Sequence, residues 1–286
     1  PFNVDKVDAK RVKGDVRLPF GLPGVNKQNR VSNGNYLWIS YFHSYLNEKG
    51  RAGFVMSSQA SSAGHGEKDV RRKLVETGDV DVMIAIRSNF FYTRSVPCEL
   101  WHFDRGKPKD RRDKVLMIDA RHIYRKVTRK IYDFTPEQLK NIAAIVWLYR
   151  GQQKRYLELT AEYLQSIADE AAEVPEALAE FDDALANLSN TLKTAREAAG
   201  PPGGEFSGGT PAPASEFLEG KTAYETDRDK LLESSKAWKK KWKTIPSLGN
   251  AKQIRAQEAF GSIADECRGL VKQVDLLFKL GSRCVD

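Results

Sequence analysis

The sequence describes a basic chain of 286 residues with a formal net charge of +8, of which 41% are apolar, and that content excludes wholesale disorder. The longest uninterrupted apolar run, Ile142–Tyr149, is far too short to cross a bilayer, and the opening residues have no signal-peptide pattern. Three cysteines without CxxC spacing argue against a disulfide framework or a zinc ribbon and for reduced thiols in a cytoplasm.

Positive charge is concentrated in the first half of the chain. Residues 1–150 hold 28 Lys and Arg against 16 Asp and Glu, whereas residues 151–286 hold 18 against 22. A basic half favours contact with a polyanion, and a mildly acidic half favours contact with protein. A basic surface that only aids solubility fits the charge equally well. The length and this asymmetry predict two domains, 1–150 and 151–286.

Helices and strands alternate in the first half. The predicted elements in chain order are a polar loop over 1–34, an amphipathic helix over Asn35–Leu46, a strand over Ala52–Met56, a basic helix over Glu67–Glu76, strands over Val80–Ile86, Val96–Phe103 and Val115–Asp119, and a helix from Thr135 to Tyr149. This order is typical of an α/β domain, with a parallel sheet covered by helices and a hairpin at the edge of the sheet.

The second half has the pattern of a long helical arm. Apolar residues recur in steps of three and four over five heptads, at Leu157, Thr160, Leu164, Ile167, Ala171, Val174, Leu178, Phe181, Leu185, Leu188 and Leu192. Pro175 predicts a kink or a break there, with the register retained. Residues 200–214 predict a flexible linker, and helices are predicted over Thr226–Lys243 and around Ala256–Leu277. The expected arrangement is an antiparallel, coiled-coil-like arm with the linker at its tip.

Two segments that follow predicted strands are the candidates for chemistry. The chain has no GxGxxG or GxxxxGK[ST] fingerprint, and its four histidines show no metal-ligand spacing. In an open α/β sheet, ligands bind beyond the carboxyl ends of strands, which is where Gly53–Ser58 and Asn89–Thr93 are predicted. Phe90, Phe91 and Tyr92 are adjacent and cannot all face one core. We therefore expect at least one of them to point outwards, the alternative being core packing at a strand edge.

The run Asn33–Arg105, with Phe90-Phe91-Tyr92 after its strongest strand, resembles the modification (methyltransferase) subunit of type I restriction–modification systems. The resemblance is close over roughly residues 1–150 and continues in kind through the helical arm. Members of that family are N6-adenine DNA methyltransferases whose catalytic motif reads Asn-Pro-Pro-Phe. The resemblance implies the C-terminal half of a Rossmann-like class I methyltransferase sheet, followed by an α-helical arm for subunit assembly.

The resemblance also implies a set of site residues. Pro1 and Phe2 match the last two residues of the catalytic motif, whose Asn side chain and first Pro carbonyl accept hydrogen bonds from the adenine amino group in the family. Phe2 is expected to stack on an adenine that has been extruded from the duplex. Phe91 or Tyr92 matches the aromatic residue on the other face of the base, with Phe91 favoured and Tyr92 close behind.

The cofactor and partners implied by the resemblance lie largely outside this chain. S-adenosylmethionine is the methyl donor, and its Gly-rich binding segment is expected upstream of Pro1, so no cofactor-binding or metal-binding residues are assigned here. The implied partners are double-stranded DNA, a DNA-specificity subunit, a second modification subunit and a restriction subunit, in the cytoplasm and without a membrane. Because the motif is incomplete, we expect the chain alone to transfer no radiolabelled methyl group to duplex DNA.

Two other functions remain open from the sequence. One is a non-catalytic assembly module whose helical arm docks a specificity subunit. The other is a methyltransferase acting on RNA or on protein glutamine, against which the long arm argues. Lys239–Lys241, between Trp238 and Trp242, would either contact phosphate or form a solvated lysine run, and the second interpretation is favoured.

Overall fold

The computed structural model describes residues 7–91, 95–198, 212–245 and 248–285. The chain divides into two compact units, Pro1–Gln152 and Gln153–Asp286. The first unit is a mixed α/β fold around a four-stranded sheet and the second is entirely helical where it is described, which confirms the predicted fold class. Within the described ranges, no helix is both long enough and apolar enough to span a membrane.

The first unit contains short elements joined by polar loops. Its helices are α1 (Ala9–Val12), α2 (Asn35–Ser44), α3 (Gln59–Ser62), α4 (His65–Glu76) and α5 (Pro136–Tyr149), and a 3₁₀ turn covers Lys109–Arg111. Its strands are β1 (Arg51–Ser57), β2 (Val80–Ile86), β3 (Cys98–Asp104), β4 (Leu116–Asp119), β5 (Arg125–Lys126) and β6 (Tyr132–Asp133). Thr135 caps α5 in a capping box with Gln138, and Pro136 occupies the first turn, as the sequence predicts.

The main sheet has the strand order β1-β3-β2-β4. Strand β3 is antiparallel to β1 and to β2, and β2 is parallel to β4. The sheet is therefore mixed, whereas the sequence predicts a parallel one. The predicted antiparallel pair is present as β2 and β3, but it lies inside the sheet and not at its edge. Both faces of β3 are apolar: Trp101 and Phe103 pack into one core, and Cys98 and Leu100 into another. An interior position buries both faces at once.

Each face of the sheet is covered by its own helices. On one face, α2 and α4 contribute Tyr36, Ile39 and Leu74 to the core that contains Trp101. On the other face, Val82, Ile84 and Ile86 of β2 alternate towards Ile118 and, from α5, Ile142. This β-branched alternation is why β2 has the predicted bounds at both ends.

The second unit consists of α6 (Gln153–Ala198), α7 (Ala212–Lys241) and α8 (Asn250–Val285). A break at Pro175 is not observed, because α6 runs through it as one helix, and the register is retained. Leu164 before the proline and Leu185 after it join the same core with α7 and α8, and this burial offsets the missing backbone hydrogen bond. The linker predicted over residues 200–214 extends too far at its C-terminal end, since Ala212–Ala214 belong to α7. Its other residues lie outside the described ranges.

The core of the helical unit contains polar anchors as well as apolar side chains. The buried Tyr224 hydroxyl donates a hydrogen bond to Asp182 Oδ1 at 2.8 Å. Burial raises the pKa of Tyr224, with the Asp182 carboxylate acting in the same direction, so the hydroxyl remains a donor. Trp238 Nε1 donates to the Ala256 carbonyl at 2.9 Å, which joins α7 to α8. These bonds fix the pairing of the three helices.

Candidate functional site

The carboxyl ends of three strands meet at one edge of the main sheet. Because β1 and β2 are both antiparallel to β3, they are parallel to each other, and β4 is parallel to β2. Residues after Ser57, Ile86 and Asp119 therefore emerge at the same edge, which is also where β3 begins. We call this side of the sheet the carboxyl edge. It brings Gly53–Ser58 and Asn89–Phe91, the described parts of the two segments singled out in the sequence, to the same side.

The turn after β2 separates two adjacent phenylalanines. Asn89 has a φ of +66°, in the left-handed region that Asn tolerates better than most residues. Phe90 then packs inwards, with its ring centroid 4.7 Å from that of Phe134. Phe91, by contrast, is 37% exposed. Phe91 is therefore the partly exposed aromatic residue that the sequence leads us to expect at this edge.

A cation held between two tyrosines supports the turn. The Arg87 guanidinium carbon lies 4.1 Å from the ring centroid of Tyr124 and 3.9 Å from that of Tyr132. The Tyr132 N–H donates to the Asn89 carbonyl at 3.0 Å. These contacts join the small β5–β6 hairpin to the carboxyl edge. The sequence analysis did not identify Arg87, Tyr124 or Tyr132. An arginine directly after a buried strand needs a partner, and that signal could have pointed to Arg87.

The Ser-rich segment after β1 is fixed to the start of β3. The Ser58 N–H donates to the Pro97 carbonyl at 3.1 Å, and the Ser61 hydroxyl donates to Glu99 Oε2. Trp101 Nε1 donates to the same carboxylate oxygen at 3.1 Å. Glu99 is thus occupied as an acceptor for two side chains. These hydrogen bonds give the segment a structural role at the carboxyl edge, and the Ser61 hydroxyl is not a free nucleophile.

The thiol nearest to this segment is not activated. Cys98, the first residue of β3, is buried and its Sγ–H points to the Val96 carbonyl at 3.4 Å. Burial raises the pKa of the Cys98 thiol, and the Glu99 carboxylate adds to the rise. The thiol stays protonated at neutral pH, which disfavours covalent catalysis at this position.

The structure describes only some of the predicted site residues. Pro1, Phe2 and Tyr92 lie outside the described residues, and Phe91 lies at the carboxyl edge. The expected pairing of Phe2 with Phe91 or Tyr92 across an extruded adenine therefore stays a prediction. In the part of the chain that is described, no three His, Cys, Asp or Glu side chains group as a metal site would require.

Comparisons with known proteins show what this chain is similar to. The family model described as N-6 DNA Methylase matches residues 1–173. The type I restriction enzyme MjaIX methylase subunit of Methanocaldococcus jannaschii is 37% identical over 146 residues, which cover 50% of this chain and 25% of that protein. The HindI methylase subunit of Haemophilus influenzae is 28% identical over 130 residues, which cover 45% of this chain and 28% of that protein. The chain thus spans about a quarter of the length of the curated relatives it matches.

Among solved structures, the type I restriction–modification system methyltransferase subunit of Streptococcus thermophilus is similar to this chain with a TM-score of 0.44. The two are 21% identical, and the match covers 50% of this chain and 29% of that one.

Proposed function

The chain belongs to the N-6 DNA methylase family, and on that premise we propose that it forms part of an adenine-specific DNA methyltransferase. In this proposal the complete enzyme transfers a methyl group from S-adenosylmethionine to adenine N6 in duplex DNA, as the modification subunit of a type I restriction–modification complex. The relatives named as methylase subunits of type I restriction enzymes support the assignment. The cytoplasm is the proposed location.

One observation supports the proposal most strongly. Phe90 packs against Phe134, whereas Phe91 is 37% exposed at the carboxyl edge beyond β2. A partly exposed aromatic ring on a supported turn is suited to stack against a planar base. Such stacking offsets part of the free energy of extruding the base from the duplex. We assign this role to Phe91, with Tyr92 as the alternative, and the opposite face of the adenine to Phe2.

The proposed chemistry explains why the pocket needs aromatic walls. The lone pair of the adenine amino nitrogen is delocalised into the ring, which makes that nitrogen a poor nucleophile. Stacking fixes the plane of the base, and acceptors of the catalytic motif, of which Pro1 and Phe2 are the last residues here, stabilise the charge that develops at the amino group. S-adenosylmethionine supplies an electrophilic methyl group when it is bound.

The acidic side chains at the described carboxyl edge already have protein partners. Glu99 accepts from Ser61 and Trp101, Asp119 pairs with Arg121 at 2.7 Å, and Asp133 pairs with Arg125 at 2.6 Å. We assign the base-stacking wall to the described residues and, as the resemblance implies, the cofactor contacts to the segment upstream of Pro1.

The experiment that tests this function compares three nucleic acids. The affinity of the 286-residue chain is measured for a paired DNA duplex, for the same duplex with one adenine opposite an abasic site, and for the paired RNA duplex. We expect tighter binding to the DNA with the unpaired adenine, by about 10-fold or more, because extruding a paired base costs a few kcal/mol. Equal affinity for both DNA duplexes, or preference for RNA, would contradict the proposal.

A second candidate function is supported by the helical unit. Exposed apolar side chains on α8 include Phe278, which is 70% exposed, and Val271, which is 64% exposed. A groove of about 450 Å³ is lined by Phe181, Leu188, Phe217, Phe278 and Gly281. An assembly module that docks a DNA-specificity subunit, or a second modification or restriction subunit, would use such a face. A purely structural module would show no preference for the unpaired adenine.

A further inference from the structure

The β5–β6 hairpin carries a group of cations without partners among the described residues. Lys126, Arg129 and Lys130 are exposed and take part in none of the ion pairs found in the described ranges. The neighbouring arginines differ, since Arg121 is paired with Asp119 and Arg125 with Asp133. The three uncompensated charges are therefore concentrated at the tip of the hairpin. We call Lys126, Arg129 and Lys130 the hairpin cations.

The hairpin is fixed internally, so these charges have a defined position. Arg125 donates two hydrogen bonds to the Asp133 carboxylate, at 2.9 and 2.6 Å, across the two strands. The Val127 and Thr128 N–H groups both donate to the Ile131 carbonyl, at 3.0 and 3.2 Å. A preformed turn loses less conformational entropy when it binds a ligand than a mobile basic tail does.

The hairpin is also fixed to the turn that carries Phe91. Tyr132 in β6 donates its N–H to Asn89, and Arg87 stacks on both Tyr124 and Tyr132. Phe134, directly after β6, is in ring contact with Phe90, the neighbour of Phe91 in the turn. The hairpin cations therefore belong to a hairpin that is bonded to the turn carrying the partly exposed Phe91.

We propose that the hairpin cations bind the phosphate backbone of the DNA beside the extruded adenine. This inference rests on the proposed function, because it takes Phe91 as the position of the base. Exposed Lys and Arg on a rigid support neutralise phosphates without reading sequence, and each such contact releases a counterion. The hairpin would thus hold the duplex in register while the base is stacked, and sequence choice would be left to other parts of the complex.

Salt dependence of binding is the direct test of this inference. The variant K126Q/R129Q/K130Q removes three charges at exposed positions, so its thermal midpoint is expected to match that of the unsubstituted chain. The slope of log affinity against log salt falls by about 0.9 for each phosphate that the protein no longer neutralises. We expect the slope for a paired DNA duplex, measured by fluorescence anisotropy, to decrease by about 2–3.

The matched control removes three charges from the other unit. Lys239, Lys240 and Lys243 are exposed near the end of α7, and K239Q/K240Q/K243Q changes the net charge by the same amount. We expect this control to retain the slope of the unsubstituted chain. An unchanged slope in the hairpin variant, or an equal decrease in the α7 variant, overturns the inference. The inference is also overturned if the hairpin variant keeps its DNA slope but no longer binds polyglutamate, an acidic peptide.

The failure of this inference is distinguishable from failure of the proposed function. The hairpin variant retains Phe91, so it is expected to keep its preference for the duplex with the unpaired adenine. If that preference is absent from the unsubstituted chain, the proposed function fails. If the preference is present and only the salt slope is unaffected by the hairpin substitutions, the inference fails alone.

Discussion

Replacing Phe91 with alanine is expected to weaken binding to a duplex with an unpaired adenine by about 5- to 150-fold. The physical reason is that stacking of a base on an aromatic ring contributes about 1–3 kcal/mol. Binding to the fully paired duplex is expected to change little, because its bases stay in the stack. Phe91 is 37% exposed, so its truncation also removes buried surface, and the thermal midpoint of each variant is measured so that a loss of stability is separated from a loss of stacking. Anisotropy titrations with both duplexes measure the difference.

Two further variants control this experiment. Phe91→Trp keeps a planar ring and is expected to retain the preference. Phe90→Ala removes a side chain packed against Phe134 and is expected to lower the thermal midpoint without removing the preference. If Phe91→Ala retains the preference and Tyr92→Ala loses it, the stacking role belongs to Tyr92. If neither substitution affects it, neither residue is the stacking wall.

Replacing Asp81 with alanine is expected to destabilise the first unit by about 3–5 kcal/mol. Asp81, at the start of β2, is fully buried, and it binds two arginines from distant parts of the chain. Arg111 Nη1 lies 3.1 Å from Oδ1, and Arg150 Nη2 lies 2.6 Å from Oδ2. Removing the carboxylate leaves two guanidinium groups partly buried without their counterion, which is the costly case for a buried ion pair. Urea unfolding followed by tryptophan fluorescence measures the change in stability.

Asp119→Ala provides the matched control. Asp119 pairs with Arg121 with similar geometry, at 2.7 Å, but both side chains are more than half exposed. The arginine hydrogen bonds lower the pKa of Asp119, yet solvent screening keeps such exposed pairs weak. We expect its unfolding midpoint to stay close to that of the unsubstituted chain. A similar midpoint for both variants would show that the Asp81 cluster does not stabilise the fold.

Local sequence patterns predict the elements of the first unit better than their arrangement. The alternation of Val82, Ile84 and Ile86 identifies β2, and Thr135 with Pro136 identifies the start of α5. The position of β3 between β1 and β2 depends on contacts far apart in the chain, so no local pattern reveals it. The β5–β6 hairpin was missed because each of its strands has two residues, too few to show a period.

In the helical unit, local sequence patterns predict the buried face, and packing between distant helices decides the outcome at Pro175. The repeat of three and four residues from Leu157 to Leu192 predicts the buried face of α6. Pro175 predicts a kink or a break, and packing against α7 and α8 keeps the helix from breaking there. At the candidate site, the sequence predicts an exposed aromatic residue after β2, and Phe91 is partly exposed there. The sequence could not reveal the Arg87 contacts, because Tyr124 and Tyr132 approach that side chain only after β4 pairs with β2.

Photochemical crosslinking tests most directly whether the carboxyl edge holds an extruded base. A duplex carrying 5-iodouracil opposite an abasic site is bound to the chain and irradiated, and the crosslinked residue is identified by mass spectrometry. The proposed site predicts a crosslink at Phe91 or Tyr92 that competes with excess duplex containing an unpaired adenine. A crosslink confined to the helical unit, or to the opposite edge of the sheet around Asp79 and Asp104, would contradict it.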